Sequence, residues 1–169
     1  MDILRRLISP RWRPGSAALA GLVATLAYSV AMEWDKYLIG NRFNDVRFIE
    51  GILGGKRKER KERKEREGKR SKGLWLLSWL LHLFNGVALA EIYAAVLKRF
   101  LPGPDWLKGA IFAETFIAGA WMLTPLADKY HPLIKRGEMP KLATWRSFLQ
   151  NLVRHLIFGV VLGLLYQEQ

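Results

Sequence analysis

Four apolar stretches of membrane-spanning length are the feature that most limits the folds open to this 169-residue chain. They cover about residues 17–37, 74–97, 106–127 and 147–166. Each is close to the ~20 residues that an α-helix needs to cross the hydrocarbon core of a bilayer. Trp and Tyr cluster at their ends, as in the interfacial belts of membrane proteins. The sequence therefore predicts an all-α, polytopic membrane protein with four transmembrane helices.

The charged residues, 25% of the chain, are concentrated between these stretches. The helices of a soluble bundle would each carry a polar stripe, which the inner parts of the four stretches lack. Residues 1–16 are predicted to form a basic, amphipathic N-terminal arm, and residues 17–169 the membrane domain. Within that domain, residues 40–73 form a charged arm rich in Lys, Arg and Glu. Its second half, KRKERKERKEREGKR, is expected to be either a solvated helix or a disordered segment.

Basic residues are distributed unequally between the two sides of the predicted bundle. Four helices bring both termini to one side, which holds 7 of the 27 Lys and Arg residues, whereas the other side holds 20. The positive-inside rule then predicts that the long basic loops are cytoplasmic and that both termini lie outside. The net charge of +12 is interpreted as an indication that these loops interact with anionic lipid headgroups rather than with nucleic acid.

One phrase occurs twice, as HLFNGVALAEIY from His82 and as HLIFGVVLGLLY from His155. In a helix, the small residues one and two turns after each His share its face, and such residues let two backbones approach closely. We therefore expect two repeated helix hairpins, whose pseudosymmetric contact is made by the faces that carry Gly86, Gly159 and Gly163.

The same two helices allow a second interpretation. His82 and His155 each lie about eight residues from the predicted cytoplasmic end of their helix, so they share a depth. Two His residues on facing membrane helices can ligate one b-type haem, with the glycine one turn later leaving room for the macrocycle. Both interpretations, helix packing and haem ligation, stay open from the sequence.

Four further ionisable residues fall inside or near the bilayer, where charge is costly and often functional: Glu33, Glu91, Glu114 and Arg154. For Arg154 the sequence suggests an ion pair with Glu33 or a side chain that reaches the headgroups. Glu91 and Glu114 are expected in the outer half, either as hydrogen-bonded carboxyls or as a proton or cation path. Since Glu91 lies about 180° around its helix from His82, no joint metal site is predicted.

No catalytic motif is present: the chain has no phosphate-binding glycine loop, no nucleophile elbow and no His-Glu-x-x-His. The chain is therefore interpreted as a non-enzymatic accessory or scaffolding subunit of a larger membrane assembly. The alternatives are a haem-bearing electron-transfer subunit and a small transporter or proton-conducting protein.

The duplicated His-x-x-x-Gly-x-x-x-x-x-x-Tyr helices, and the ending HLIFGVVLGLLY, resemble a family of small uncharacterised four-helix bacterial membrane proteins. The likeness covers the four helices and leaves out the charged arm. It implies a multi-pass protein of the bacterial cytoplasmic membrane and implies no activity.

Overall fold

The computed structural model describes residues 8–38, 40, 42–54 and 72–167. All regular structure in these ranges is helical, which confirms the all-α class. The helices are α1 (Pro14–Leu38), α2 (Asp45–Leu53), α3 (Lys72–Ile92), α4 (Asp105–Trp121), α5 (Thr124–Tyr130), α6 (Pro132–Lys135) and α7 (Trp145–Leu165). A π-helical turn, Tyr93–Leu97, and a 3-10 turn, Lys98–Phe100, continue α3. The predicted helix at the start of the N-terminal arm lies mostly outside the described residues.

Three helical segments are long and apolar enough to cross a membrane: Pro14–Asp35, Lys72–Phe100 and Trp145–Leu165. A fourth span results if α4 and α5, which meet at an angle of 49°, are taken together. The chain thus has the helices of a multi-pass membrane protein. The third predicted helix, residues 106–127, is not continuous. Pro125 has no N–H to donate and its ring clashes with the preceding turn, so the helix breaks before it.

The three long helices and α4 pack side by side. α1 lies between α3 and α7, and α4 packs on the far side of α7. The buried face of α1 repeats every three or four residues, as expected for a helix that buries one stripe. Its apolar residues are Ala17, Ala20, Ala24, Tyr28 and Met32.

Glycines set the closest helix contacts, but in a different pairing from the predicted one. A Cβ added at Gly86 on α3 would overlap Thr25 on α1, and one added at Gly159 on α7 would overlap Gly109 on α4. Gly163 packs in the same way on the backbone at the start of α4, at Asp105. The prediction that the glycine faces of the two phrase-bearing helices pack on each other is therefore wrong. The glycine face of α3 packs on α1, and that of α7 packs on α4.

Both phrases end in a fully buried tyrosine, and here the two phrases do meet. The rings of Tyr93 and Tyr166 lie with their centroids 6.4 Å apart, and Tyr93 also packs on Phe112 of α4 at 5.2 Å. The N-terminal segment closes over this end, since the Ser9 amide donates to the Ala95 carbonyl at 2.7 Å.

The other end of the bundle is covered by a layer that we call the cap, made of α2, α5, α6 and their connections. Its apolar centre consists of Phe43, Ile134, Met139 and Leu142, with Phe48, Ala127 and Leu133 packed against them. Within the charged arm predicted at residues 40–73, the helix α2 was not anticipated. It begins with the side chain of Asn44 accepting from the Arg47 amide, which satisfies one of the free donors at the helix start. Residues 55–71 of the arm lie outside the described ranges.

Candidate functional site: a buried ion cluster beneath the cap

Arg154 on α7 is the centre of a buried polar cluster where the bundle meets the cap. Its side chain is fully buried. The guanidinium Nε and Nη2 both donate to the carboxylate of Asp35 on α1, the latter at 2.7 Å. Nη2 also donates to the Phe43 carbonyl at 3.1 Å, and Nη1 to the carboxylate of Asp45 at 3.3 Å. The planar, forked guanidinium suits such a set of acceptors, because its donors point in fixed directions.

The two carboxylates come from different parts of the chain. Asp35 lies near the end of α1 and is buried, and it accepts a further bond of 2.7 Å from Nε2 of Gln150, one turn before Arg154. Asp45 is the first residue of α2. One guanidinium therefore ties together α7, the end of α1 and the start of the cap.

Tyr28 extends the cluster into the bundle. Its hydroxyl donates to Oδ2 of Asp45 at 2.9 Å. The centroid of its ring lies 5.7 Å from that of His82 on α3 and 5.1 Å from that of His155 on α7. The two predicted His residues thus come to the same place in the fold, each against one tyrosine of the helix between them.

Hydrogen bonds to neighbouring acceptors assign a proton position on each of the two imidazoles. The Ser29 hydroxyl donates to the Thr25 carbonyl at 2.8 Å, so its oxygen accepts from Nε2–H of His82 at 3.1 Å. On α7, Nδ1–H of His155 donates to the Asn151 carbonyl at 2.8 Å. Each ring is therefore oriented by a partner on a helix.

A b-type haem does not fit between these two histidines. Bis-histidine ligation needs a nitrogen of each ring to point at one iron, with the flat macrocycle between the rings. Here the ring of Tyr28, only 5% exposed, packs against both imidazoles. Nε2 of His82 is also engaged with Ser29. The glycines after each His do not open a space either, because neighbouring helices fill it.

The other predicted intramembrane charges do not join the cluster. The suggested pair of Glu33 with Arg154 is wrong, because Glu33 is exposed and Arg154 binds Asp35 and Asp45. Glu91 lies toward the opposite end, where its carboxylate accepts from the indole N–H of Trp12 at 2.7 Å. Glu114 on α4 is half-buried, and its Oε1 has no hydrogen-bond partner within the described part of the chain.

A second buried cation lies at the opposite end. Nζ of Lys98 donates to the Tyr166 carbonyl at 2.8 Å, and lies 3.2 Å from the carboxylate of Asp105. The side chain of Lys98 is 2% exposed. The backbone amide of Arg13 donates to the Tyr166 hydroxyl at 3.3 Å. This cation and these bonds hold the ends of α3 and α7, the start of α4 and the N-terminal segment together.

Sequence reasoning missed Asp35, Asp45 and Tyr28. For Asp35 a signal existed, because seven residues, about two helical turns, separate it from Tyr28 and place both on one face. Glu33, five residues from Tyr28, points about 140° away from it. For Asp45 no such signal exists, since its place depends on how the chain turns back after α1.

The charged groups of the cluster bind one another. The guanidinium donates to two carboxylates and a carbonyl, and each carboxylate accepts a further bond from Gln150 or Tyr28. In the described ranges, no group of three or more His, Asp or Glu side chains is placed to hold a metal ion. The arrangement is suited to locking helices together.

Comparison with known proteins adds a family but no activity. Residues 13–169 match the family of unknown function DUF6789, and the chain belongs to that family. No curated protein and no solved structure matches the chain.

Proposed function

We propose that this member of the DUF6789 family is a non-catalytic accessory or scaffolding subunit of a larger membrane assembly. The observation that carries the proposal is the set of acceptors around Arg154. The charge that is most deeply buried in the bundle is held by Asp35, Asp45 and the Phe43 carbonyl. A binding or catalytic site would instead keep a polar group directed at a ligand.

The bond pattern also explains what such a cluster does in a scaffold. Charged side chains in lipid are costly unless they are paired, so a paired cluster fixes one arrangement of helices against the alternatives. The cluster joins the spanning helices α1 and α7 to α2 of the cap. We infer that it keeps the cap in one position over the bundle, where a partner subunit can recognise it.

We further propose that the bundle consists of two repeated hairpins, α1 with α3 and α4 with α7. Support comes from equivalent glycine contacts. Gly21 of α1 packs on Gly86 of α3, and Gly109 of α4 packs on Gly159 of α7. In the two phrases, Gly86 and Gly159 hold the same position, four residues after the His.

The proposed orientation has the cap and the basic loops in the cytoplasm, with both termini outside the cytoplasmic membrane. The described parts of both basic loops, 42–54 and 131–144, belong to the cap and so share one end of the bundle. Their Lys and Arg residues would then face anionic headgroups.

Purification from the native membrane in a mild detergent tests the subunit proposal. We expect the chain to migrate with the same partner polypeptides, at constant ratio, in two detergents of different type. We also expect no Soret band in the visible spectrum. A single homogeneous species of this chain alone, from both detergents, would contradict an accessory role, and a haem spectrum lost in His82→Ala would contradict the arrangement around Tyr28.

A second function, proton or cation conduction, is favoured by one observation. Oε1 of Glu114 is buried within a spanning helix without a hydrogen-bond partner in the described ranges. Proton flux into liposomes that contain the protein, lost in Glu114→Gln and retained in Glu33→Gln, would support conduction. Equal flux in protein-free liposomes would exclude it.

A further inference from the structure

His131, which the cluster around Arg154 does not use, lies buried where the two halves of the cap meet. It connects α5 to α6 and is 4% exposed. Its ring stacks on that of Phe48 in α2, with centroids 4.1 Å apart and planes at 9°. Its Nε2 lies 2.9 Å from the Phe48 carbonyl. The imidazole therefore makes both a ring contact and a polar contact with one residue of α2.

Gly51 brings the backbone of α2 directly onto this ring. A Cβ at Gly51 would lie 2.6 Å from Cε1 of His131 and 2.8 Å from the side chain of Leu133, both shorter than side chains tolerate. α2 thus rests on the imidazole with no room for a larger residue. Any change that requires space or water at His131 must move α2.

The hydrogen bond assigns the proton of the neutral ring. A carbonyl only accepts, so Nε2 of His131 carries the hydrogen and Nδ1 carries the lone pair. Nδ1 is buried and has no hydrogen-bond partner in the described part of the chain. Protonation would put a charged N–H at Nδ1 without an acceptor, which is a costly state for a buried group.

We propose that His131 is an acid-sensitive latch, which holds α2 against the turn between α5 and α6 and releases it when Nδ1 takes up a proton. The position of α2 over the bundle would therefore depend on pH.

The charges around the latch favour the neutral ring. Burial lowers the pKa of His131 below its ordinary value, and the like charge of Arg136 lowers it further. The hydrogen bond to the Phe48 carbonyl acts in the opposite direction and raises it. The other charged residues of the elements that pack here are Asp45, which binds Arg154, Arg47 and Glu50 on α2, Asp128 and Lys129 on α5, Lys135 on α6 and Glu138, which pairs with Arg136. Asp128 accepts from the amides of Leu142 and Ala143.

The sign of the pH dependence follows from the lowered pKa. When α2 is released, His131 titrates near its ordinary value of about 6.5, and in the closed cap it titrates lower. The closed cap therefore has its full stability above about pH 6.5 and loses it as the pH falls toward the closed-state pKa.

Distance measurement between α2 and α6 tests the latch in the full-length protein in lipid nanodiscs. The chain has no Cys, so spin labels can be placed at Ile52→Cys and Lys135→Cys, both exposed. At about pH 7.5 we expect one short distance, and at about pH 5 a second, longer population. His131→Gln, whose amide can donate to the Phe48 carbonyl but cannot take up a proton, should keep the short distance at both values.

Arg136→Gln gives an independent measurement if His131→Gln does not fold. Loss of the cation near His131 should move the midpoint of the distance change to higher pH, whereas a purely structural His131 would leave it unchanged. A single distance at both pH values in the otherwise native chain would overturn the proposal. The same acid response in His131→Gln, or an unmoved midpoint in Arg136→Gln, would also overturn it.

Discussion

The guanidinium of Arg154 on α7 binds the carboxylate of Asp35 on α1 through two of its nitrogens, with both side chains buried. The two residues are 119 positions apart in the chain. Their contact is the link between the first and the last long helix, and the Asp45 carboxylate extends it to the cap. The cluster around this pair therefore connects two spanning helices to the start of the cap.

Neutralising Asp35 should destabilise the fold much more than neutralising its neighbour Glu33. Asp35→Asn leaves a buried guanidinium without its main counter-charge, and breaking a buried pair in this way typically costs about 3–5 kcal/mol. Glu33→Gln is the matched control, because Glu33 is exposed and an exposed charge contributes less than about 1 kcal/mol. Reversible unfolding in mixed micelles measures both changes. Equal losses in the two variants would show that Asp35 is not the partner of Arg154.

Leu at Gly86 or Gly159 should separate two helices. A side chain at Gly86 meets Thr25, and one at Gly159 meets the backbone of Gly109, so overpacking should cost about 1–3 kcal/mol or more. Gly119→Leu is the control, since nothing in the described part of the chain lies within 4 Å of a Cβ there. Thermal unfolding in detergent compares the three variants. A Gly119 variant as unstable as the other two would indicate a general effect of Leu in these helices.

Removal of the Tyr28 hydroxyl should weaken the connection between α1 and the cap. Tyr28→Phe keeps the ring against both histidines and deletes the hydroxyl that donates to Asp45, and a hydrogen bond to a charged group contributes about 1.5–3 kcal/mol. Tyr130→Phe, at an exposed position, should change the free energy of unfolding by less than about 0.5 kcal/mol. A Tyr28 variant as stable as the Tyr130 variant would show that the Tyr28 hydroxyl does not stabilise the cluster.

Labelling in intact cells checks the orientation. A Cys at exposed Lys135, in the cap, should be protected from a membrane-impermeant maleimide, and a Cys at exposed Gln167 should react. Permeabilised cells give the control, in which both positions should react. The opposite pattern would invert the proposed topology.

Sequence patterns predicted the long helices well, because an apolar run of bilayer length rarely forms anything other than a membrane-spanning helix. Counting residues along the helices also predicted one depth for His82 and His155, and this depth in the membrane stays a prediction. Sequence patterns failed for the glycine faces. A small-residue face predicts a close contact but does not identify the partner helix, and here α1 and α4 provide it.

Of the two carboxylate partners of Arg154, only Asp35 could have been predicted from the sequence. Asp35 shares a helix face with Tyr28 and could have been chosen over Glu33 from the periodicity of α1. Asp45 and the cap could not have been predicted, because the short α2 lies in a segment dominated by charge. The position of α2 also depends on contacts with residues distant in the chain, such as that of Phe48 with His131. The break before Pro125 was readable from the proline itself.

A double-mutant cycle between Arg154 and Asp35 tests the central claim most directly, namely that this pair is a structural lock. We expect Arg154→Met and Asp35→Leu each to lower the free energy of unfolding by about 3–5 kcal/mol, because each removes one partner of a buried ion pair. The double variant, in which neither Arg154 nor Asp35 remains without the other, should lose clearly less than the sum of the two single losses. Losses that add, within about 0.5 kcal/mol, would contradict the account, because they would show that the two residues contribute to stability independently.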